Sequence, residues 1–473
     1  MSYVVKLIFV MSVFMYRSVL AQDITLDQYL DRIRVAHPFF NKEKLSADIE
    51  RERQRGLLGS QDWVLKLSPS YNHTEGNPQS AFSPRKSDNF TFDSSIGREY
   101  WENGGRLTLG YDYGYSEQTF SSLADALQQH SNGLTVQYKL PILKNKGGVL
   151  SRLDYELQGF NIDVVEINAQ ENQENFLAQI AERYIDWVLE SERLRISESR
   201  LHLAEQEYKL IRKKLHAGLS ARVDELRAKD AVINAEQALL KARSDWMAVK
   251  VELAAQADYS DLLESMPVFD LYQIKKIPLE KDALEELRSY SRLLKSIDLQ
   301  LERLSKQQHG FEEQKKPDLD VVLGGGLRSE DRRFSDASTF DKPQYFVGLE
   351  FRYPLGQTSA RSNVSRALIQ RRQLQEERAS IVRQLKADVR AVLVQLVEIN
   401  KILSLNQRQI TVARQKTGEE WKRYNQGRSE LTFVIQSRDN ERNSQLSYAA
   451  NAAFYQKLLL RYRALTDRLL LDN

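Results

Sequence analysis

The sequence predicts an α+β membrane protein built from long antiparallel coiled-coil helical hairpins and short β-strands. Two kinds of pattern predict the elements. Long stretches place apolar residues at steps of three and four, and shorter stretches rich in Tyr, Ser and Gly alternate apolar with polar residues. The order helix, strands, helical hairpin occurs twice along the chain, which indicates an internal duplication.

The composition argues against several classes of protein. The chain has 473 residues, a formal net charge of +3 and no cysteine. A nucleic-acid binder would normally be more basic, and a chain without cysteine has no disulfides, thiolate metal sites or thiol nucleophiles. The six histidines have no ligand-like spacing, and no catalytic motif stands out. We therefore predict no enzyme activity, no cofactor site and no metal site.

Residues 1–21 are predicted to be a signal peptide. Lys6 precedes an apolar run at residues 7–15, and Val19-Leu20-Ala21 precede the predicted cleavage site before Gln22. The alternative is a retained anchor, but roughly ten apolar residues are too few to span a bilayer. No later segment has the roughly eighteen consecutive apolar residues of a membrane helix. If the mature chain spans a membrane, it must therefore do so through β-strands.

The first repeat is predicted to cover residues 22–257. It begins with a helix at 25–58 and continues with strands within 62–141. In the clearest strand, Leu134, Val136, Tyr138 and Leu140 share one face. A long helical hairpin follows at 148–256, with its tip near Gly218. A linker at 258–281 joins this repeat to the second.

The second repeat is predicted to cover residues 282–473. It has a helix at 282–313, strands within 317–354 and a long helical hairpin at 358–470 with its tip near Gly427. Several residues occupy matching places in the two repeats: Pro141 and Pro354, Gly218-Leu219-Ser220 and Gly427-Arg428-Ser429, Asp230 and Asp439, Asn234 and Asn443. The two prolines follow strands and precede helices, where a fixed φ and a missing donor are tolerated.

The long helices have a coiled-coil pattern. In the second repeat the apolar positions are Val382, Leu385, Val389, Val392, Leu396, Ile399 and Leu403. Their average step of 3.5 residues is typical of coiled-coil packing. A helix of 65–70 residues would be about 100 Å long at 1.5 Å per residue. Such a length suits a duct that crosses a periplasm.

The strands indicate how such a chain would enter a membrane. Backbone groups in lipid must be paired, so strands span a bilayer only as a closed barrel. Four to six short strands per chain are too few to enclose an open lumen, whereas three chains together are sufficient. We therefore predict a homotrimer in contact with outer-membrane lipid.

The sequence resembles the TolC family of outer-membrane efflux proteins over nearly all of the mature chain. The resemblance rests on the duplicated layout, on Pro141 and Pro354, and on the tip motifs at residues 215–220 and 424–429. It implies a trimeric twelve-stranded outer-membrane barrel above a periplasmic α-barrel. It also implies a periplasmic adaptor and an inner-membrane pump as partners. The adaptor would contact the tips at Gly218, Leu219 and Ser220 and at Gly427, Arg428 and Ser429.

Two departures from the family pattern concern the entrance and the strands. Family members often close the periplasmic entrance with aspartates just past the second tip, where this chain has Phe433 and Gln436. Asp224, just past the first tip, is a further candidate for the entrance. The first strand region is also long enough for four strands instead of two. The additional segments, near 89–98 and 104–117, would form either a longer extracellular hairpin or a modified barrel.

The function that follows is a passive exit duct of a tripartite efflux pump or of a type I secretion system. The alternative is a structural or adhesive coiled-coil stalk with a β cap, which would not explain the duplication. The exported substrate cannot be read from the sequence, because selectivity in a passive tube belongs mainly to its partners.

Overall fold

The computed structural model describes residues 23–469, with the exception of residues 78, 79, 81, 122 and 124. The predicted signal peptide at 1–21 lies outside the described residues. The described chain forms two compact units. The helical unit comprises residues 23–42, 171–291 and 384–469. The sheet unit comprises residues 43–170 and 292–383.

The helices of the described residues repeat in length. In chain order they are α1 (Leu26–Ala36), α2 (Pro38–Leu57), α3 (Leu153–His216), α4 (Arg222–Gln256), α5 (Glu280–Tyr290), α6 (Arg292–Glu313), α7 (Phe334–Ala337), α8 (Thr358–Asn425) and α9 (Leu431–Leu465). Helices α1 and α5 have 11 residues each, α4 and α9 have 35 each, and α3 and α8 have 64 and 68. These pairs follow the predicted duplication. Within the described part of the chain, no helix is long and apolar enough to cross a membrane.

The helices predicted at 25–58 and 282–313 each consist of two helices. Helix α1 ends at Ala36 and α2 begins at Pro38, because the proline has no N–H to continue the hydrogen-bond pattern. His37 is accordingly extended, with φ −79° and ψ 127°. Ser291 separates α5 from α6 with φ −55° and ψ 109°. The break thus occurs after an 11-residue helix in both repeats.

The sheet unit contains one six-stranded antiparallel sheet. The strands of the described residues are β1 (Ile24–Thr25), β2 (Val64–Glu75), β3 (Pro84–Tyr100), β4 (Gly105–Phe120), β5 (Leu127–Pro141), β6 (Pro267–Val268), β7 (Asp318–Asp331) and β8 (Lys342–Arg352). The order in the sheet is β2-β3-β4-β5-β7-β8, so β2 and β8 are its edges. The segments predicted near 89–98 and 104–117 lie in β3 and β4. In the helical unit, β1 pairs in parallel with β6, which lies inside the predicted linker.

The core of the helical unit uses the predicted coiled-coil positions. Val389, Val392, Leu396, Ile399 and Leu403 of α8 are all buried. Leu177, Tyr184 and Trp187 of α3 are each 0% exposed in the same hydrophobic core. The heptad pattern from Val389 to Leu403 therefore marks the packing face of α8, whereas Val382 and Leu385 are only half-buried.

Candidate functional site at the two hairpin tips

The first tip is a helix C-terminus closed by a glycine. Gly218 has φ +70°, a left-handed conformation that favours a residue without Cβ. The N–H of Leu219 donates to the carbonyl of Lys214 at 2.7 Å, and the N–H of Gly218 donates to that of Leu215 at 3.0 Å. This pair of bonds is the Schellman motif, which ends α3 and reverses the chain.

The second tip has the same backbone geometry. Gly427 has φ +69°. Arg428 N–H donates to Arg423 C=O at 2.9 Å, and Gly427 N–H donates to Tyr424 C=O at 3.0 Å. The residues that precede the next helices, Ala221 and Glu430, both have φ −83° and ψ 152°. The two tips are therefore equivalent turns, as the duplication predicts.

A small hydrophobic cluster packs the two hairpins together behind their tips. Residues from all four long helices contribute to it: the buried Ile211, Ala228, Leu431 and Val434, and the partly buried Tyr208, Trp421, Tyr424 and Ile435 packed around them. Ile211 and Val434 are 0% exposed. We call this group the tip cluster. It makes the two tips one structural element of the helical unit.

Polar contacts also join the tips. The hydroxyl of Tyr424 lies 3.3 Å from that of Ser220, which in turn lies 3.3 Å from Asp224 Oδ2. Because the serine hydrogen is directed to the carboxylate, Tyr424 donates and Ser220 accepts. Burial raises the pKa of Tyr424, and the Asp224 charge raises it further. The phenol therefore stays protonated and remains a donor at neutral pH.

Two cations bridge the tips as well. Arg227 Nη1 is 3.5 Å from Asp224 Oδ1 and 3.5 Å from Glu430 Oε2. Lys214 Nζ donates to Asn425 Oδ1 at 2.8 Å. The sequence offered no signal for either bridge, because each joins residues about 200 positions apart.

The residues predicted to contact an adaptor lie at the surface of the tips. Gly218, Leu219, Gly427 and Arg428 are exposed, whereas Ser220 and Ser429 are half-buried. Leu219 is an apolar side chain with 77% of its surface exposed. An exposed leucine at the extremity of a hairpin is available to an apolar partner.

The residues predicted to line an entrance lie in the first turns after the tips. Asp224 occupies the third position of α4, and its side chain is 17% exposed. Phe433 occupies the equivalent position of α9 and is 52% exposed. Gln436, one turn further along α9, is exposed. The structure thus brings one charged, one aromatic and one amide side chain to the same level of the hairpins.

A cleft of about 720 Å³ lies deeper, between α4 and α9. The duplicated pairs Asp230 with Asn234 and Asp439 with Asn443 all line it. Arg200 of α3, only 6% exposed, reaches Asp439 at 3.2 Å. Arg200 was not among the predicted site residues, since nothing in its sequence neighbourhood distinguishes it from other helical arginines.

The two prolines predicted as strand-to-helix elbows occupy different places. Pro141 is the last residue of β5 and is buried, and α3 begins only at Leu153. Pro354 lies two residues after β8 and four before α8. Pro354 is therefore close to the start of the long helix of its repeat, whereas a short 3-10 helix at Lys146–Gly148 lies between Pro141 and α3.

The sheet has one apolar and one polar face. On β8, Tyr345, Val347, Leu349 and Phe351 alternate with Gln344, Phe346, Gly348 and Glu350. The residues of β7 that pair with these β8 positions continue the apolar face. Leu323, for example, lies opposite Val347. Exposure is high, at 85% for Tyr345, 79% for Val347 and 72% for Leu349. An apolar face this exposed marks an interaction surface.

The chain thus contains an antiparallel sheet with one exposed apolar face and two helical hairpins packed together at their tips. Residues 106–257 match the family model described as "Outer membrane efflux protein". The chain is similar to the outer membrane protein VceC of Vibrio cholerae, at 13% identity and TM-score 0.65, over 94% of this chain and 95% of that one. It is also similar to the CmeC outer membrane channel of Campylobacter jejuni, at 12% identity and TM-score 0.65, over 93% and 85%.

A third similar structure is the open state of the MtrE outer membrane channel of Neisseria gonorrhoeae, at 13% identity and TM-score 0.63, over 94% and 89%. No match was found among curated protein sequences. The family model and these structures confirm the resemblance that the sequence predicted.

Proposed function

We propose that this protein is a passive outer-membrane exit duct that works as a homotrimer in a tripartite efflux pump or a type I secretion system. The observation that carries the proposal is the exposed apolar face of the sheet. Leu65, Leu67 and Tyr71 of β2 are each more than half exposed, as are Tyr345, Val347, Leu349 and Phe351 on the apolar face of β8. Water would penalise this surface by roughly 25 cal/mol per Å². Lipid removes that penalty.

The helical unit would lie in the periplasm and collect substrate. Its tips would contact a periplasmic adaptor through the exposed surface of Gly218, Leu219, Gly427 and Arg428 and through the half-buried Ser220 and Ser429. The adaptor would link the duct to an inner-membrane pump. A passive tube requires neither a catalytic residue nor a cofactor, so the energy for export comes from that pump.

The entrance would be formed at the level of Asp224, Phe433 and Gln436. The exposed ring of Phe433 and the exposed amide of Gln436 are free to meet their equivalents in neighbouring copies. Asp224 instead contacts Ser220 and Arg227 of its own chain. We therefore assign Phe433 and Gln436 to the constriction itself and Asp224 to holding the tips together.

The test is the mass of the protein extracted from the outer-membrane fraction, measured by light scattering with correction for bound detergent. A trimer is expected. A monomer that stays stable without detergent would overturn the proposal in favour of a coiled-coil stalk, because its strands would then never meet lipid.

A further inference from the structure

The hairpin of β3 and β4 is fully integrated into the sheet. Residues 86–100 of β3 pair without interruption with β4, and 64–75 of β2 pair with β3 on the other side. β4 pairs in turn with β5 from Arg106 to Gln118. A hairpin folded over the top of a barrel would leave β2 free to pair with β5. Here β2 and β5 are separated by two full-length strands.

The apolar face of the sheet continues across this hairpin. Residues in register lie on the same face of a sheet. One such row joins Leu65 of β2, Ile96 of β3, Leu109 of β4 and Val136 of β5. A second row joins Pro69, Phe92 and Tyr113. β3 and β4 therefore place their apolar residues on the same face of the sheet as β2 and β5.

The opposite face of the hairpin is polar. Asp93 of β3 is opposite Asp112 of β4, and Ser95 is opposite Gly110. The row of Asp93 and Asp112 continues to Ser68 of β2 and Gly133 of β5. Alternation of an apolar outside with a polar inside is the pattern of a membrane strand around a water-filled lumen.

The height of the apolar band on β3 fits a bilayer. On the apolar face the band is bounded by Asp88 at one end and Arg98 at the other, with the nine residues 89–97 between them. A tilted transmembrane strand needs about 9–11 residues. Asp88 is tied to His73 at 2.6 Å and to Lys86 at 3.0 Å, so a charged group closes the band on that side. An extracellular flap has no reason to carry a band of this length.

The two edge strands of the sheet determine what must pair with it to close a barrel. β2 and β8 each have only one neighbour in the described sheet. Unpaired backbone groups are not tolerated in lipid, and six strands cannot close around an open lumen. A second copy of this chain supplies a complementary edge, because a β8 edge of one copy can pair with a β2 edge of the next.

We infer that β3 and β4 are part of the membrane wall, and that three copies with six strands each form an eighteen-stranded barrel. The inference rests on the proposed function and departs from the twelve strands that the family resemblance implied. Barrel diameter grows roughly linearly with strand number, so the lumen is about 1.5 times as wide as with twelve strands. The barrel would then admit bulkier hydrated solutes than a twelve-stranded one.

Spin labels on single cysteines test the position of the hairpin. The chain has no cysteine, so each variant has a single label without background. Phe92→Cys and Tyr111→Cys report on the apolar face, and Asp93→Cys and Asp112→Cys are their neighbours on the polar face. The labelled trimer in phosphatidylcholine liposomes is probed with oxygen, which dissolves in lipid, and with a water-soluble nickel chelate.

The expected result is high oxygen and low nickel accessibility at residues 92 and 111, and at least a tenfold higher nickel-to-oxygen ratio at 93 and 112. High nickel accessibility at all four residues would mean an extracellular flap and would overturn the inference. Low accessibility to both probes at 92 and 111 would also overturn it, because those residues would then face protein. In either case, a trimer in the membrane leaves the proposed function standing.

Disulfide cross-linking tests the closure of the wall. Ser70→Cys on β2 is combined in turn with Gln344→Cys, Phe346→Cys or Gly348→Cys on β8. A disulfide requires Cα atoms about 4.4–6.8 Å apart, so we expect covalent dimers and trimers at one or two adjacent positions only. Ser70→Cys alone is the control and should give none. A cross-link within one chain, or no cross-link at any pair, would overturn the inference.

Discussion

The hydroxyl groups of Tyr424 and Ser220 lie 3.3 Å apart, although 204 positions separate the two residues in the chain. The contact joins the end of α8 to the turn between α3 and α4. Since Ser220 also contacts Asp224, the tips share a chain of three polar groups beside the tip cluster. Opening of the tips away from one another would break this chain.

Tyr424→Phe should loosen the tips without disturbing the tip cluster, because only the hydroxyl is removed. One neutral hydrogen bond contributes about 1 kcal/mol, which corresponds to roughly a fivefold change in an opening equilibrium. We expect an increase of that order in the open probability of single channels in planar bilayers. Tyr208→Phe, in the same cluster, is the control. Equal behaviour of the two variants would exclude a role for the Tyr424 hydroxyl.

Phe433→Ala tests the proposed constriction. Phe433 is 52% exposed, so its removal should change the unfolding free energy little while widening the entrance. We expect a higher single-channel conductance or a changed voltage dependence. Phe454→Ala on the same helix, 48% exposed, removes a similar ring far from the tip. Unchanged conductance and voltage dependence in Phe433→Ala would contradict its assignment to the entrance.

Gly427→Ala and Gly418→Ala should have opposite effects on the stability of α8. Gly427 has φ +69°, where a Cβ costs roughly 1 kcal/mol, whereas Gly418 is an exposed residue within the helix. Alanine at position 418 should stabilise the helix by up to about 1 kcal/mol. Hydrogen exchange of residues 419–426 would measure both effects. Faster exchange in both variants, or in neither, would show that the left-handed turn does not limit helix stability.

Much of the helical fold could be predicted because its signals are local and periodic. The heptad residues Val389 and Leu396 are buried as expected, and Gly218 and Gly427 end their helices with positive φ. A helix C-terminus needs only one residue without Cβ, so the tip positions are visible in the sequence. The break at Ser291 was missed, because no proline or glycine marks it.

The contacts that make the tips a unit could not be predicted, because they depend on packing between distant segments. Arg227 contacts Glu430, and Lys214 contacts Asn425, only after the two hairpins have associated. For the same reason, the sequence left open whether β3 and β4 form a longer extracellular hairpin or part of a modified barrel. Alternation reveals the two faces of a strand, but only the register with β2 and β5 reveals its neighbours.

Glu207→Gln should destabilise the helical unit more than an exposed charge would. The Glu207 side chain is 10% exposed and lies 2.8 Å from Arg438 and 3.9 Å from Arg200. Loss of the shared carboxylate leaves Arg200 with Asp439 and Arg438 with Glu441 as their remaining anionic partners, so we expect a cost of about 1–3 kcal/mol. Thermal unfolding followed by circular dichroism would measure this, with Glu198→Gln on the exposed side of α3 as the control. Similar melting of both variants would mean that Arg200 and Arg438 find other partners.

Glu190 and Glu192 on α3 should affect the pH dependence of stability in opposite senses. The hydrogen bond from Arg195, at 2.6 Å, lowers the pKa of Glu192 below 4.5, with help from Tyr272 at 2.9 Å. Its contribution is therefore present above about pH 4.5 and lost as the pH falls below that value. Burial raises the pKa of Glu190 above 4.5, so its protonated form favours folding at low pH and this contribution disappears as the pH rises.

Thermal unfolding of the detergent-solubilised protein between pH 3 and 7 would test this pair. Glu192→Gln should lower the melting temperature at pH 7. It should also flatten the decline of the melting temperature below pH 4.5, because protonation of the Glu192 carboxylate, whose pKa is lowered in the folded protein, reduces the stability there. The buried Glu190 carboxylate destabilises the folded state increasingly as it ionises with rising pH. Glu190→Gln removes this destabilisation, so the stability should rise more steeply between pH 4.5 and 7. The neighbouring positions of the two residues on one helix make each variant the control for the other. Parallel pH profiles for the two variants would show that burial and the Arg195 contact do not set these two ionisations.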